Sequence, residues 1–211
     1  MTRLDLLCRM TVPAVTTALE TAYKVHYEGT LPRKGPYLLF AKHQGELDHF
    51  FIGMMIHKQT GRFANYMMRK FPFPLYCFLK THGGILVVRS KDVKDGQYTE
   101  QERQEINDKA ATYALSRLKL GEPLVNFPEG TRAYKQLHTP FKMWIAEKII
   151  QAQENGDLSS RIPIVPLGIE YEDANKLRSH VWVRAGEPFY TNNTSELETH
   201  LQKEISRLSG L

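Results

Sequence analysis

Cysteine is scarce in this 211-residue chain: Cys8 and Cys77 are the only two. Two such distant thiols make no disulfide framework, so a reducing, cytoplasmic setting is expected. No Cys/His cluster has metal-ligand spacing, which excludes a zinc site. Long hydrophobic runs are missing as well. No stretch approaches the roughly 20 apolar residues that span a bilayer, so no transmembrane span is expected. The segment from Met1 to Tyr23 is broken by Arg3, Asp5, Arg9 and Glu20, and it carries no apolar signal-peptide core or cleavage pattern. Internal repeats, low-complexity tracts and linkers are also lacking. What is present is ordinary globular composition, 42% hydrophobic and 24% charged, at a length that suits one good-sized core.

The net charge of +5 is unevenly placed. Between Ala41 and Asp95 there are nine Lys/Arg and four Asp/Glu, so this stretch carries the whole excess and the rest balances. Such a stretch suits an anionic partner: nucleic acid, anionic lipid or a phosphorylated small substrate. It also suits a plain solvated face. No nucleic-acid motif accompanies it, so nucleic acid is not expected as a partner.

Strand-like and helix-like patterns alternate along the chain. Helices are expected near 3–22, 49–60, 75–80, 99–120, 141–154 and 195–209. Strands are expected at 24–28, 37–41, 63–67, 85–88, 123–127, 162–171 and 181–185, and Lys91 to Gln97 reads as a loop. Ile85-Leu86-Val87-Val88 is a continuous apolar run of the kind a buried parallel strand shows. The alternation predicts one α/β domain with a mixed, largely parallel sheet flanked by helices, preceded by an N-terminal helix. Residues 1–23 are expected to form that helix. Its stripe of Leu4, Leu7, Cys8, Val15 and Leu19 fits a membrane surface, or packing on its own domain, residues 24–211.

Three turns carry chemistry. His43 and Asp48 share the turn between the strand at 37–41 and the following helix. A histidine whose second nitrogen is held by a carboxylate is a neutral general base. Alone, the pair fits a helix-capping Asp beside an ordinary histidine better than it fits a base. Gly84 to Arg89 places an arginine at the carboxyl end of a buried strand, where open α/β sheets bind ligands. Its planar fork suits phosphate. Phe127-Pro128-Glu129-Gly130-Thr131-Arg132 ends another strand: Pro128 halts the ladder, Gly130 permits a tight turn, and Glu129, Thr131 and Arg132 project from it. A surface ion pair is the plainer reading of that loop.

Taken in order, these blocks and the proline-containing strand at 162–168 resemble the glycerolipid acyltransferase family, most closely the 1-acylglycerol-3-phosphate acyltransferases. The resemblance covers about residues 24–190. It rests on His43 and Asp48 as the His-x4-Asp block, on Gly84 and Arg89, and on the full match at 127–132, with Pro140-Phe141-Lys142 following. Lys42, Gly45 and Val88 depart from residues often found there. The resemblance implies transfer of a fatty acyl group from acyl-coenzyme A or acyl carrier protein to a glycerolipid hydroxyl. A lysophospholipid is the expected acceptor, with 1-acylglycerol 3-phosphate giving phosphatidic acid. It implies His43 and Asp48 as catalytic residues, and Gly84, Arg89, Glu129, Gly130, Thr131 and Arg132 as substrate-binding residues. No metal and no permanently bound cofactor are required.

Between Gly61 and Gly83, six aromatics (Phe63, Tyr66, Phe71, Phe73, Tyr76, Phe78) alternate with Arg62, Arg69, Lys70 and Lys80. Interleaving of that kind suits peripheral attachment to an anionic membrane, an acyl-chain groove, or simple core packing. Other functional readings of the whole chain are an acyltransferase for another glycerolipid, a non-catalytic lipid-binding protein, or a thioester hydrolase.

Overall fold

The computed structural model describes residues 3–158, 161–174 and 176–211, with the backbone alone for residues 3–10. The side chains of Leu4, Leu7 and Cys8 therefore lie outside the described residues. The fold is organised by a short strand, β2 (Leu38–Ala41), whose four residues are all buried. Successive side chains of a strand point to opposite faces. Leu38 and Phe40 enter one apolar cluster, and Leu39 and Ala41 enter another. A run that is apolar at every position is what two covered faces require.

Seven strands form one sheet in the order β1-β7-β6-β2-β5-β3-β4. They are β1 (Lys24–Glu28), β2, β3 (Asn65–Met68), β4 (Gly84–Leu86), β5 (Leu124–Asn126), β6 (Ile164–Tyr171) and β7 (His180–Ala185). β6, β2, β5, β3 and β4 run parallel to one another. β7 is antiparallel to β6, and β1 is parallel to β7. The sheet is thus mixed and mostly parallel. Helices α5 (Glu100–Lys119), α6 (Trp144–Glu154) and α7 (Thr194–Leu208) cover one face through Ala110, Ala114, Leu118, Ile145, Ile149, Leu201 and Ile205. α2 (Asp48–Thr60) covers the other through Phe51, Ile52, Met55 and Ile56, all fully buried. Truncating Phe51 to Ala would cost about 3–5 kcal/mol, as buried aromatic losses do.

Helix starts follow local chemistry. Thr99 and Glu102 form a reciprocal capping box at α5, and Asn193 accepts from Ser195 and Glu196 at α7. α1 (Arg3–Ala22) packs beside α2 and β1, with Leu19 against the second cluster and Thr11 bonded to His82 at 2.7 Å.

The elements differ from the sequence pattern in places. Residues 90–94 form a short helix, α4, where a loop is expected, because Asp92 caps its own helix from within. β4 stops at Leu86, so Val87 to Arg89 lead out of the sheet. α6 starts at Trp144; the Phe141 and Lys142 N–H groups before it bond to Glu198 and to the Pro128 carbonyl. α2 begins at Asp48 itself, with Leu47 at the cap position and no side-chain cap bond. The five parallel strands share one carboxyl-terminal edge, and His43, Glu129, Arg69, Arg89 and Tyr171 lie at or just beyond it.

Candidate functional site

β2 delivers His43 to the edge, and α2 returns Asp48 under it. The imidazole Nδ1 lies 2.8 Å from Asp48 Oδ2. A carboxylate only accepts, so Nδ1 carries a proton, and in the neutral ring it is Nε2 that keeps its lone pair. The His43 side chain is 24% exposed while that of Asp48 is fully buried. Asp48 Oδ2 also accepts the backbone N–H groups of Gln44 (2.7 Å) and Gly45 (2.9 Å), and Tyr171 donates its hydroxyl to Oδ1 at 2.6 Å. Asp48 therefore staples its own turn rather than capping the helix. Its charge also sits favourably at the N-terminus of α2. Burial, reinforced by the Asp48 charge, pushes the Tyr171 phenol up, which keeps it a donor. Phe127 packs on the imidazole, ring centroids 4.4 Å apart.

Gly45 leaves room for this arrangement. A Cβ there would lie 3.1 Å from the Tyr171 hydroxyl and 3.4 Å from Asp48 Oδ1. That close approach gives a physical reason for glycine at one of the positions where the chain departs from its resemblance.

The Phe127–Arg132 loop meets the same turn from β5. Glu129 is turned inward and buried, rather than projecting. The cause is Lys42, also fully buried, whose ammonium contacts Glu129 Oε1 and Oε2 at 2.8 and 2.9 Å, Ala133 O at 2.7 Å and His43 O at 3.2 Å. Burial lowers the Lys42 ammonium from its usual range, and Glu129 opposes that shift. Glu129 further accepts the N–H groups of His43 and His138, both at 2.9 Å. Gly130 adopts φ +66, a left-handed conformation that side chains disfavour. Thr131 is exposed. Arg132 reaches across the mouth to pair with Glu46, whose carboxyl it holds below its usual range.

Arg89 lies farther along the edge, beyond β4. Its fork is engaged by Asp92, Nε to Oδ2 at 3.1 Å and a terminal nitrogen to Oδ1 at 2.6 Å. The Asp92 carboxyl is held below its usual range by Arg89. Arg89 and Asp92 line a polar cleft of about 120 Å³ together with Arg69, Lys70, Lys91 and Asp95. β4 is three strand spacings from β2, roughly 14 Å, and β3, which carries Arg69 at its end, is two. Gly84 touches none of this: a Cβ there would strike Met68 and the Leu79 carbonyl, so its role is to let α3 (Leu75–Thr81) sit on β4. A wider, open depression of about 420 Å³ on α5, lined by Asp108 and Tyr113 among others, lies apart from these residues.

The structure thus brings His43, Asp48, Glu129 and Gly130 together, puts Arg132 and Thr131 at the rim, and sets Arg89 along the edge. Tyr171, Lys42 and Gln44 are missing from the sequence-based site. Gln44 joins the Ile169 carbonyl to the Lys135 N–H and so ties β6 to the loop. Tyr171 lies 123 positions from Asp48, and only the β2–β6 pairing brings it close. His49, next to Asp48, has a buried Nε2 without a partner, and burial pushes its imidazole down to about 4.

The aromatic segment divides: Tyr66 packs half-buried against the second cluster, whereas the stretch from Phe71 on stays out of the core. None of the segment's six aromatics is fully buried; Phe73 is 82% exposed and Phe78 38%, and α3 has no buried residue. Among the described residues no helix is long and apolar enough to cross a membrane, and no three His, Cys, Asp or Glu side chains cluster as metal ligands.

Residues 22–170 match the family model described as Acyltransferase. Among solved structures, the chain is similar to the 1-acyl-sn-glycerophosphate (LPA) acyltransferase PlsC from Thermotoga maritima. The TM-score is 0.59 at 19% identity, over 97% of this chain and 76% of that one. No curated protein gives a significant match.

Proposed function

The chain belongs to the acyltransferase family, and from that premise we propose that it transfers a fatty acyl group from a thioester to the hydroxyl of a lysophospholipid, 1-acylglycerol 3-phosphate above all. The observation that carries this reading is the His43–Asp48 pair: a buried carboxylate holds one imidazole nitrogen and leaves the other for a substrate at a solvent-reachable edge. Acyl-coenzyme A or acyl carrier protein is the donor.

The chemistry needs little else. A hydroxyl is a poor nucleophile until its proton leaves during attack. His43 Nε2 takes that proton as the hydroxyl oxygen bonds to the thioester carbonyl carbon. Asp48 orients the ring and stabilises the imidazolium. Collapse breaks the carbon–sulfur bond, and the departing sulfur takes the proton from His43. The product is an ester and a free thiol, with no acyl-enzyme. Arg89 binds the acceptor phosphate, with Arg69 and Lys70 beside it, while Arg132, Thr131 and Gly130 border the acceptor pocket. The exposed Phe73, Leu75 and Phe78, next to Arg69, Lys70 and Lys80, support docking on an anionic membrane surface, where lysophospholipid is collected.

A neutral glycerolipid acceptor is the second reading. The observation favouring it is that Asp92 already occupies the Arg89 fork. Acyl transfer from labelled acyl-coenzyme A and acyl carrier protein to a panel of lysolipids and glycerol 3-phosphate, read by mass spectrometry, tests both. Phosphatidic acid should be the main product, and Arg89→Ala should raise its KM at least about tenfold, as loss of a charged hydrogen bond does. Preference for a neutral acceptor, with no effect of Arg89→Ala, supports the second reading. Absence of any lipid product with release of free fatty acid would mean a hydrolase.

A further inference from the structure

Lys42 and Glu129 are both fully buried, so neither charge meets a substrate. Taking two such charges out of water costs several kcal/mol per ion, and an apolar pair of similar size would often stabilise a fold as well or better. What an apolar pair lacks is direction. Glu129 Oε1 accepts the N–H of His43 at 2.9 Å, and the carbonyl of the same residue accepts Ala133 N–H at 2.9 Å and the Lys42 ammonium at 3.2 Å. Both backbone polar groups of His43 are therefore held by one polar unit. That unit joins the ends of β2 and β5 through the carbonyl of Ala133, and Glu129 extends it to His138. Every proton of the ammonium and both carboxylate oxygens are engaged, which is the condition under which a buried polar network specifies one geometry.

We propose that Lys42 is a positioning residue: its ammonium, clasped by Glu129, fixes the peptide from which the His43 imidazole projects toward Asp48. This rests on His43 as the general base. The imidazole reaches Asp48 only from one setting of the β2–α2 turn, and the clasp supplies that setting from the β5 side. Lys42 acts through His43 and touches no reacting atom.

Lys42→Met alone strands the Glu129 charge in the interior and threatens the fold. Lys42→Met/Glu129→Gln removes both charges and keeps an amide oxygen for the His43 N–H, so it is the informative variant. Three readouts are needed: thermal unfolding, kcat and KM for acyl transfer, and the downfield Nδ1–H resonance of His43 in 15N-histidine-labelled protein. The folded double variant should lose or broaden that resonance and drop roughly 10- to 100-fold in kcat, the scale of an ångström-level misplacement, with KM within about twofold. A folded double variant with the resonance intact and kcat within about twofold overturns the proposal. If the unaltered protein transfers no acyl group at all, the acyltransferase reading fails by itself, and the resonance still decides whether Lys42 positions His43.

Discussion

Around His43, the side chains of Lys42, Gln44, Asp48 and Glu129 are buried and hydrogen-bonded, whereas from Arg69 to Lys80 aromatic and basic side chains stand in or near solvent. The second region starts at the same edge, where β3 leads into Arg69, and runs through α3 back to the start of β4. The first is built for fixed geometry: one carboxylate takes four donors, and one buried ion pair holds the peptide of His43. The second is built for contact, with a seven-residue helix that buries nothing of its own. Proton transfer tolerates little displacement, while collection of a lipid needs surface and charge. The comparison teaches that substitutions in the first region should act on turnover or stability, and those in the second on capture.

The largest expected effect tests the rigid half. Asp48→Asn should lower kcat by about 100-fold or more, because the imidazolium loses its counter-charge and the amide can present a donor where the ring and turn need an acceptor. Steady-state kinetics at saturating donor and acceptor read this directly, and a change in KM alone would break the assignment of this region to turnover.

Next comes pH. His49 is held near pKa 4 in the folded chain against 6.5 as the ordinary value. The unfolded chain therefore binds more protons between those limits. The contribution to stability is full above pH 6.5, is lost as pH falls toward 4, and changes no further below that. The difference amounts to about 3 kcal/mol. Denaturant melts of the unaltered chain and His49→Leu at pH 7.5, 5.5 and 4 should show a flatter acid loss in the variant. Parallel losses would refute a neutral His49.

Tyr171→Phe should cost about 1.5–3 kcal/mol of stability and a few-fold in kcat, since it removes one donor from a charged acceptor that retains three others. Thermal melts with kinetics on the same protein check it. The smallest stability effect belongs to the other half. Phe73→Ser/Phe78→Ser should stay within about 0.5 kcal/mol of the unaltered chain, as exposed positions do, yet lose sedimentation with anionic liposomes. Full sedimentation by that variant, or binding indifferent to salt, would remove the division of labour.

The sequence carried the local half of this architecture and not the distant half. The strand–turn–helix at 37–60 and the strand-ending loop at 127–132 are legible because apolar runs, Pro128 and Gly130 act within a few residues. The roles of Lys42 and Tyr171 were not legible, because each depends on a partner delivered from elsewhere in the sheet: Glu129 from beyond β5 for Lys42, and Asp48 from the start of α2, beyond β2, for Tyr171. Glu129 reads in sequence as a projecting group, and only its burial against Lys42 turns it inward. The same holds at 90–94, where Asp92 both starts a helix and takes the fork of Arg89. Aromatic composition at 61–83 allowed core, groove or membrane surface, and the exposure of Phe73 and Phe78 favours the surface.

The central claim is that His43 removes the proton of the acceptor hydroxyl. Its direct measurement is single-turnover acyl transfer from acyl-coenzyme A to 1-acylglycerol 3-phosphate by the unaltered protein and by His43→Ala, with thermal unfolding of both. The account predicts a fall in the chemical step of about 100-fold or more at an unchanged fold, with acceptor binding retained. Turnover by folded His43→Ala within a few-fold of the unaltered protein would contradict it.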